Sequence, residues 1–257
     1  GRALALAVGD QVDVRRVAGG GAIEAVAPRR NLVWRSDAFK EKLLAANVTQ
    51  IAAVVAPDLS LDEELLNRWM IAAESTACRF VIVANKADLP SFAALRARLA
   101  PFAALGYPVV ELAAKRDPAP VLPWLAAQHT VLVGQSGMGK STLLNLLVPD
   151  AGARTREYSQ RLDLGKQTTT ASRRFTLPCG GTIVDTPGFQ EFGLAHVPVA
   201  QLAESFPEFH PALGRCRFQD CRHLAEPGCA VRALVGTGSV AADRYAFYRS
   251  LAEARPL

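Results

Sequence analysis

The stretch Gly134-Gln135-Ser136-Gly137-Met138-Gly139-Lys140-Ser141-Thr142 places three glycines, a lysine and three hydroxyls in the pattern Gly-x-x-x-x-Gly-Lys-Ser. Glycine lets successive backbone N–H groups converge on one anion, the lysine reaches the terminal groups of a polyphosphate, and the serine hydroxyl suits a magnesium ion. The apolar runs Thr130 to Val133 before it and Leu143 to Leu147 after it predict strand, loop and helix. A helix start adds unpaired donors and partial positive charge at the same point. All nine residues are therefore candidate contacts to a nucleoside triphosphate. Lys140 is also a candidate to stabilise transferring charge.

A second candidate precedes it. Asn85-Lys86-Ala87-Asp88 ends the apolar run Phe80 to Ala84. A carboxylate there accepts hydrogen bonds from the N1 proton and the 2-amino group of guanine, a donor pair that adenine lacks, so Asp88 would select GTP. The Asn85 amide and the Lys86 stem would brace the loop and the base face, with Ala87 as the spacer before Asp88. Ala113-Ala114-Lys115, after the run Val109 to Leu112, offers a backbone amide for the guanine 6-oxo group or is an ordinary strand-to-helix turn.

Downstream, Thr182-Ile183-Val184-Asp185 reads as a buried strand ending in an acid and leads into Thr186-Pro187-Gly188. Asp185 suits a magnesium-bound water and the Gly188 amide suits a terminal phosphate. In the polar, arginine-rich residues 150 to 174, Gly165-Lys166-Gln167-Thr168-Thr169-Thr170 has the look of a switch loop whose threonine joins the magnesium shell only in the triphosphate state. Thr169 is taken for that role; a threonine-rich strand edge is the competing reading. Phe189 follows Gly188 and cannot orient a water, so that group must come from elsewhere.

The third constellation is Cys216, Cys221, His223 and Cys229, spaced Cys-x4-Cys-x-His-x5-Cys. Three thiolates and one imidazole make a closed tetrahedral set with no position left for water, which is structural zinc chemistry. A disulfide is the alternative. Five cysteines with no export signal favour a reducing compartment, hence the cytoplasm. Cys78 and Cys179 read as buried or incidental thiols.

These residues need elements to hold them. Half of the 257 residues are hydrophobic, enough for a sizeable core and two or three units. No apolar run approaches the roughly twenty residues needed to cross a bilayer, and no membrane association is expected. Alternation around Gly19-Gly20-Gly21 predicts a β-hairpin, and Arg29, Arg30, Trp34 and Arg35 after it resemble the nucleic-acid faces of small β-barrels. A module of 36 residues is short for a five-stranded barrel, so either it is reduced or strands precede it. From Val48 onward apolar strands alternate with helices, predicting an α/β fold with a mostly parallel sheet and ligands beyond the carboxyl ends of its strands. Ser60 and Glu63 read as a capping box, and Leu61, Leu65 and Trp69 as the core face of the helix they start.

Charge is unevenly placed. Segments 1–36, 151–177 and 210–257 carry +3, +4 and +3, and the remainder carries −5. Basic contact surfaces on an acidic body point to a nucleic-acid partner; solvated arginines are the alternative. Arg215, Arg217, Arg222 and Arg232 surround the cysteine cluster and are candidate phosphate contacts.

The base reader precedes the phosphate loop, the reverse of the usual GTPase order, so the chain reads as a circularly permuted GTPase. The succession Asn-Lys-x-Asp, Gly-Gln-Ser-Gly-x-Gly-Lys-Ser, Thr-Thr-Thr, Asp-Thr-Pro-Gly-Phe and a Cys/His cluster resembles the ribosome small-subunit-dependent GTPase A family over nearly the whole chain. That resemblance implies a partial N-terminal OB-fold over 1–36, a permuted P-loop GTPase domain over 37–195 and a C-terminal α-helical zinc module over 196–257. It also implies GTP hydrolysis to GDP with magnesium, one structural zinc, binding to the small ribosomal subunit and its rRNA, and a late step in subunit maturation; a monomer is expected. An RNA-binding assembly chaperone using GTP as a conformational ligand, with negligible turnover, and an ATP-driven P-loop enzyme remain alternatives; Asp88 argues against the second. Two positions depart from the family pattern. Gln167 stands where a histidine implicated in hydrolysis is frequent, and becomes the water-positioning candidate; Arg116-Asp117-Pro118 replaces a Gly-x-Gly.

Overall fold

The computed structural model describes residues 5–17, 20–36, 41–57, 61–148, 172–185, 194 and 197–254. Its centre is a six-stranded sheet built from β5 (Gln50–Val55), β6 (Arg79–Ala84), β7 (Val109–Glu111), β8 (His129–Val133), β9 (Arg173–Thr176) and β10 (Thr182–Asp185). The strand order is β7-β6-β5-β8-β10-β9, parallel throughout except for β9, which runs antiparallel to β10. The chain moves outward from β5 through β6 to β7, then returns to β8 on the other side of β5. Such a reversal opens a crevice at the carboxyl ends of the strands, where ligands of open α/β sheets bind.

Both faces of the sheet are covered, as the unbroken apolar strands require. Alternation along β5 divides its residues between the two cores. Ile51, Ala53 and Val55 face one cluster with Trp69 and Met70, while Ala52 and Val54 face the other with Leu143 and Leu144. The first cluster is built on α1 (Glu63–Ser75) and α2 (Phe92–Ala104), the second on α3 (Leu122–Leu125) and α4 (Lys140–Leu147). Leu61, Leu65 and Trp69 are buried as expected, but the observed cap of α1 is Asp62, whose side chain accepts from the Leu65 amide. Ser60 lies outside the described residues.

Before the sheet come two antiparallel ladders, β1 (Val12–Val17) with β2 (Gly20–Val26) and β3 (Leu32–Ser36) with β4 (Glu41–Ala46). The expected module boundary at residue 36 falls inside the second ladder. Leu32 pairs with Ala46 and Val33 with Ala45, so cutting there would leave β3 without its partner. Asn31 ties this region to the sheet domain, donating to the carbonyls of Val48 and Thr76.

At the other end α5 (Val199–Glu204), a 3-10 turn at Pro207–Phe209, α6 (Ala230–Gly236) and α7 (Ala242–Glu253) pack onto α1 and share its core. Phe206 stacks on Phe209 at 4.9 Å, and the ring of Tyr248 stands edge-on to both. Arg244 is buried over the Phe206 ring, pairs with Glu208 at 2.6 Å and donates to Asn67 of α1. The terminal modules are thus less free in charge than a count of arginines implies: Arg15, Arg29, Arg244 and Arg249 each pair with a carboxylate of their own module. Removing one member of a buried pair strands the other, at a cost of about 3–5 kcal/mol. Arg244→Ala should lose that much stability in urea unfolding, whereas the apolar pair Arg244→Met with Glu208→Leu should lose far less. Among the described residues, no helix is long and apolar enough to cross a membrane.

Candidate nucleotide site and metal centre

Three loops leave the carboxyl ends of β6, β7 and β8, and one buried side chain binds them together. Asn85, at the end of β6, donates through Nδ2 to the carbonyl of Met138 at 3.0 Å. Its Oδ1 accepts from the amides of Lys86 at 2.8 Å and Ala114 at 3.0 Å. An asparagine suits this, because its short planar amide donates from the nitrogen and accepts at the oxygen without carrying charge. Lys86, at φ 62°, adds a second tie by donating its Nζ to the Gly137 carbonyl at 3.0 Å. The base-reading loop and the phosphate loop, 46 or more residues apart in sequence, are thereby tied into one wall.

The phosphate loop has the backbone its glycines predict. Gly134, Gly137 and Gly139 have φ of 145°, 79° and 99°, values that favour glycine. A side chain at Gly139 would also strike the Asn85 amide, so that glycine sets the contact between the two loops. α4 starts at Lys140 directly after it, with Ser141 and Thr142 in its first turn. The Met138 side chain is fully buried in the second core, which anchors the loop from below while its carbonyl accepts from Asn85. Lys140 Nζ donates to the carbonyls of Gly134 and Gln135, the latter at 2.7 Å. Burial lowers its pKa, opposed by the Asp185 carboxylate; burial raises that of Asp185, opposed by Lys140 and Arg173. A half-buried amine and a half-buried acid that each gain from opposite charge are suited to a polyanion with its cation.

Beside the loop is a cavity of about 280 Å³ lined by Asn85, Lys86, Asp88, Ala114, Gly139 and Thr142, among others. Asp88 and Thr142 line the same cavity, which brings the base reader and the phosphate loop to one space. The expected role of the Ala114 amide needs correction, since that N–H is already spent on Asn85. The 113–115 loop lines the cavity all the same. Gln167, Thr169 and Gly188 lie outside the described residues, as do Thr168 and Phe189.

In the C-terminal module the ligand atoms of Cys216, Cys221, His223 and Cys229 all lie within 4.8 Å of one another. His223 Nδ1 is 3.5 Å from the sulfurs of both Cys216 and Cys229. Tetrahedral zinc with bonds of ~2.3 Å to sulfur separates its ligand atoms by about 3.8 Å, so the set fits that ion. Burial pushes the Cys221 thiol up to about 12, so a cation is needed to hold it as thiolate. The ligands are themselves held: Ala230 N–H and Arg232 N–H point at the sulfurs of Cys216 and Cys229. The Glu226 carboxylate accepts from the amides of Arg222, Leu224 and Ala225, and Tyr245 donates to the His223 carbonyl. His223 takes φ 62°, a conformation this web of bonds enforces. These supports were invisible in the cysteine spacing, although Glu226 within the x5 interval and two tyrosines one helical turn apart in α7 are signals of a kind.

Comparison with known proteins places this geometry. The RsgA GTPase family model matches residues 26–195. A curated relative from Burkholderia pseudomallei (strain 668), named small ribosomal subunit biogenesis GTPase RsgA, is 48% identical over 257 residues, spanning 98% of this chain and 82% of its own. The protein of that name from Bordetella pertussis (strain Tohama I) is 49% identical over 261 residues, spanning 97% of this chain and 87% of its own. Among solved structures, YjeQ from Thermotoga maritima aligns with a TM-score of 0.73 at 30% identity, covering 96% of this chain and 84% of that one. YloQ, described as a circularly permuted GTPase, aligns with the same TM-score at 24% identity, covering 100% and 84%, and shows the fold alone.

Proposed function

We propose, from the premise that this chain belongs to the RsgA GTPase family, that it hydrolyses GTP to GDP and phosphate and couples hydrolysis to a late step in maturation of the small ribosomal subunit. The observation that carries this reading is the shared cavity in which Asp88 and Thr142 meet across the Asn85 clamp. A guanine on Asp88 then leaves its phosphates over residues 134–142. The loop amides and Lys140 would offset the charge of phosphoryl transfer. Ser141, Thr169 and Asp185 would hold Mg2+, which neutralises charge between the β- and γ-phosphates. Gln167 is the water-positioning residue and the Gly188 amide the γ-phosphate contact in this reading.

The Cys3His set would hold one structural Zn2+. Arginines 215, 217, 222 and 232 around it, with the β1 to β4 region, would meet rRNA. Pairing of β3 with β4 supports an N-terminal unit that runs to Ala46 and precedes a GTPase unit ending near residue 195. The protein would act as a cytoplasmic monomer, docking on the subunit with GTP and leaving with GDP. Co-sedimentation with small subunits tests the cycle: retention with a non-hydrolysable GTP analogue and release with GDP is the expected result. Equal retention in both states would contradict it.

A further inference from the structure

The carboxylate assigned to guanine is already engaged. Arg116 Nε lies 3.3 Å from Asp88 Oδ2, with the Asp88 side chain 29% exposed and that of Arg116 74% exposed. Arg116 does not reach this point by chance of an extended loop. The amides of Arg116 and Asp117 both donate to the Ala113 carbonyl, at 2.8 and 2.9 Å, and the Asp117 carboxylate accepts from the Ala119 amide. These bonds close a tight turn directly after the strand β7, and they are made by the backbone or by Asp117, so the Arg116 side chain is not part of what holds the turn. The neighbouring carboxylate on β7, Glu111, is taken by Arg96 of α2 at 2.6 Å. Asp88 is therefore the acid that Arg116 meets.

Guanine recognition by Asp88 uses the same oxygens. The N1 proton and the 2-amino group are two parallel donors, and a carboxylate pairs with them through both oxygens, in the geometry it otherwise offers to a guanidinium. We propose that Arg116 competes with guanine for Asp88, occupying the carboxylate when no base is present and leaving it when a guanine nucleotide enters. This rests on the reading of Asp88 as the base contact. Binding then exchanges an ion pair for a base pair of hydrogen bonds, which weakens the hold on both GTP and GDP and eases nucleotide exchange. The side chain's exposure lets it swing into solvent without disturbing the turn.

Titration with GDP and with ADP, for the wild type and for Arg116→Ala and Arg116→Gln, tests this. Ion pairs between exposed groups contribute little, so both variants should bind GDP more tightly by about two- to fivefold. Exposed ion pairs weaken with added salt as the Debye length falls from about 10 Å at 0.1 M to about 3 Å at 1 M, so the gain should shrink as ionic strength rises, which a mere change of loop shape would not produce. ADP binding should be the same in all three proteins. GDP binding that is unchanged or weaker in both variants overturns the competition. If the wild type instead binds GDP no more tightly than ADP, the reading of Asp88 itself fails, and the two failures are thus told apart.

Discussion

Asp88→Asn should reverse the base preference of the site. The substitution replaces an acceptor oxygen with an NH2 group that faces the guanine N1 proton and 2-amino group, and removes the negative charge that strengthens both bonds. Hydrogen bonds to a charged group contribute about 1.5–3 kcal/mol each, so losing one outright and weakening the other should lower GDP affinity by roughly two orders of magnitude or more. Xanthine carries an oxo group in place of the 2-amino group, which the new amide can meet as donor. Xanthosine diphosphate should therefore bind the variant better than GDP does, and the wild type worse. Because Asn85, not Asp88, ties the loops together, the variant should melt at the wild-type temperature. A fall in GDP affinity accompanied by a fall in melting temperature would mean that Asp88 supports the loop and does not read the base.

Loss of metal should have the larger effect on the fold. Cys216 to Cys229 contain two of the four ligands at their ends and the other two between, and the segment between them has no helix or strand among its described residues. What orders it is the ligand set and the web around Glu226, Tyr245 and Tyr248. Free energies of zinc binding to small modules reach about 10–16 kcal/mol, most of it spent on folding. Chelation, or Cys221→Ser, should therefore expose Tyr248 and the Phe206–Phe209 stack, which lie in the core shared with α1. Near-ultraviolet circular dichroism should lose aromatic signal, restored by zinc and not by magnesium. A chelated protein with an unchanged spectrum would show that the aromatic core alone holds the module.

Strands and glycines were legible in the sequence because their signals are local. The run Phe80 to Ala84 and the loop glycines 134, 137 and 139 needed only apolar length and the spacing of residues that tolerate positive φ. The Cys3His set was legible for the same reason, four ligands falling within fourteen positions. What escaped was pairing at long range. Nothing near Asn85 announces that its amide will hold Met138 and Ala114, or near Arg244 that it will reach Asn67, since those contacts exist only once the sheet is assembled. The 1–36 limit of the N-terminal region shows the same blindness, since the partner strand of β3 lies just beyond it. Arg116 was visible as a departure from a glycine pattern, but its meaning depends on where Asp88 sits.

In the proposed function, one cavity reads guanine, cradles its phosphates and turns over in response to a ribosomal partner. Phosphate release from GTP and from ATP, each with and without small ribosomal subunits, tests it most directly. Release from GTP alone should be slow and should rise markedly when small subunits are added, with no comparable release from ATP in either case. Equal use of ATP, or GTP turnover indifferent to the subunits, would contradict it.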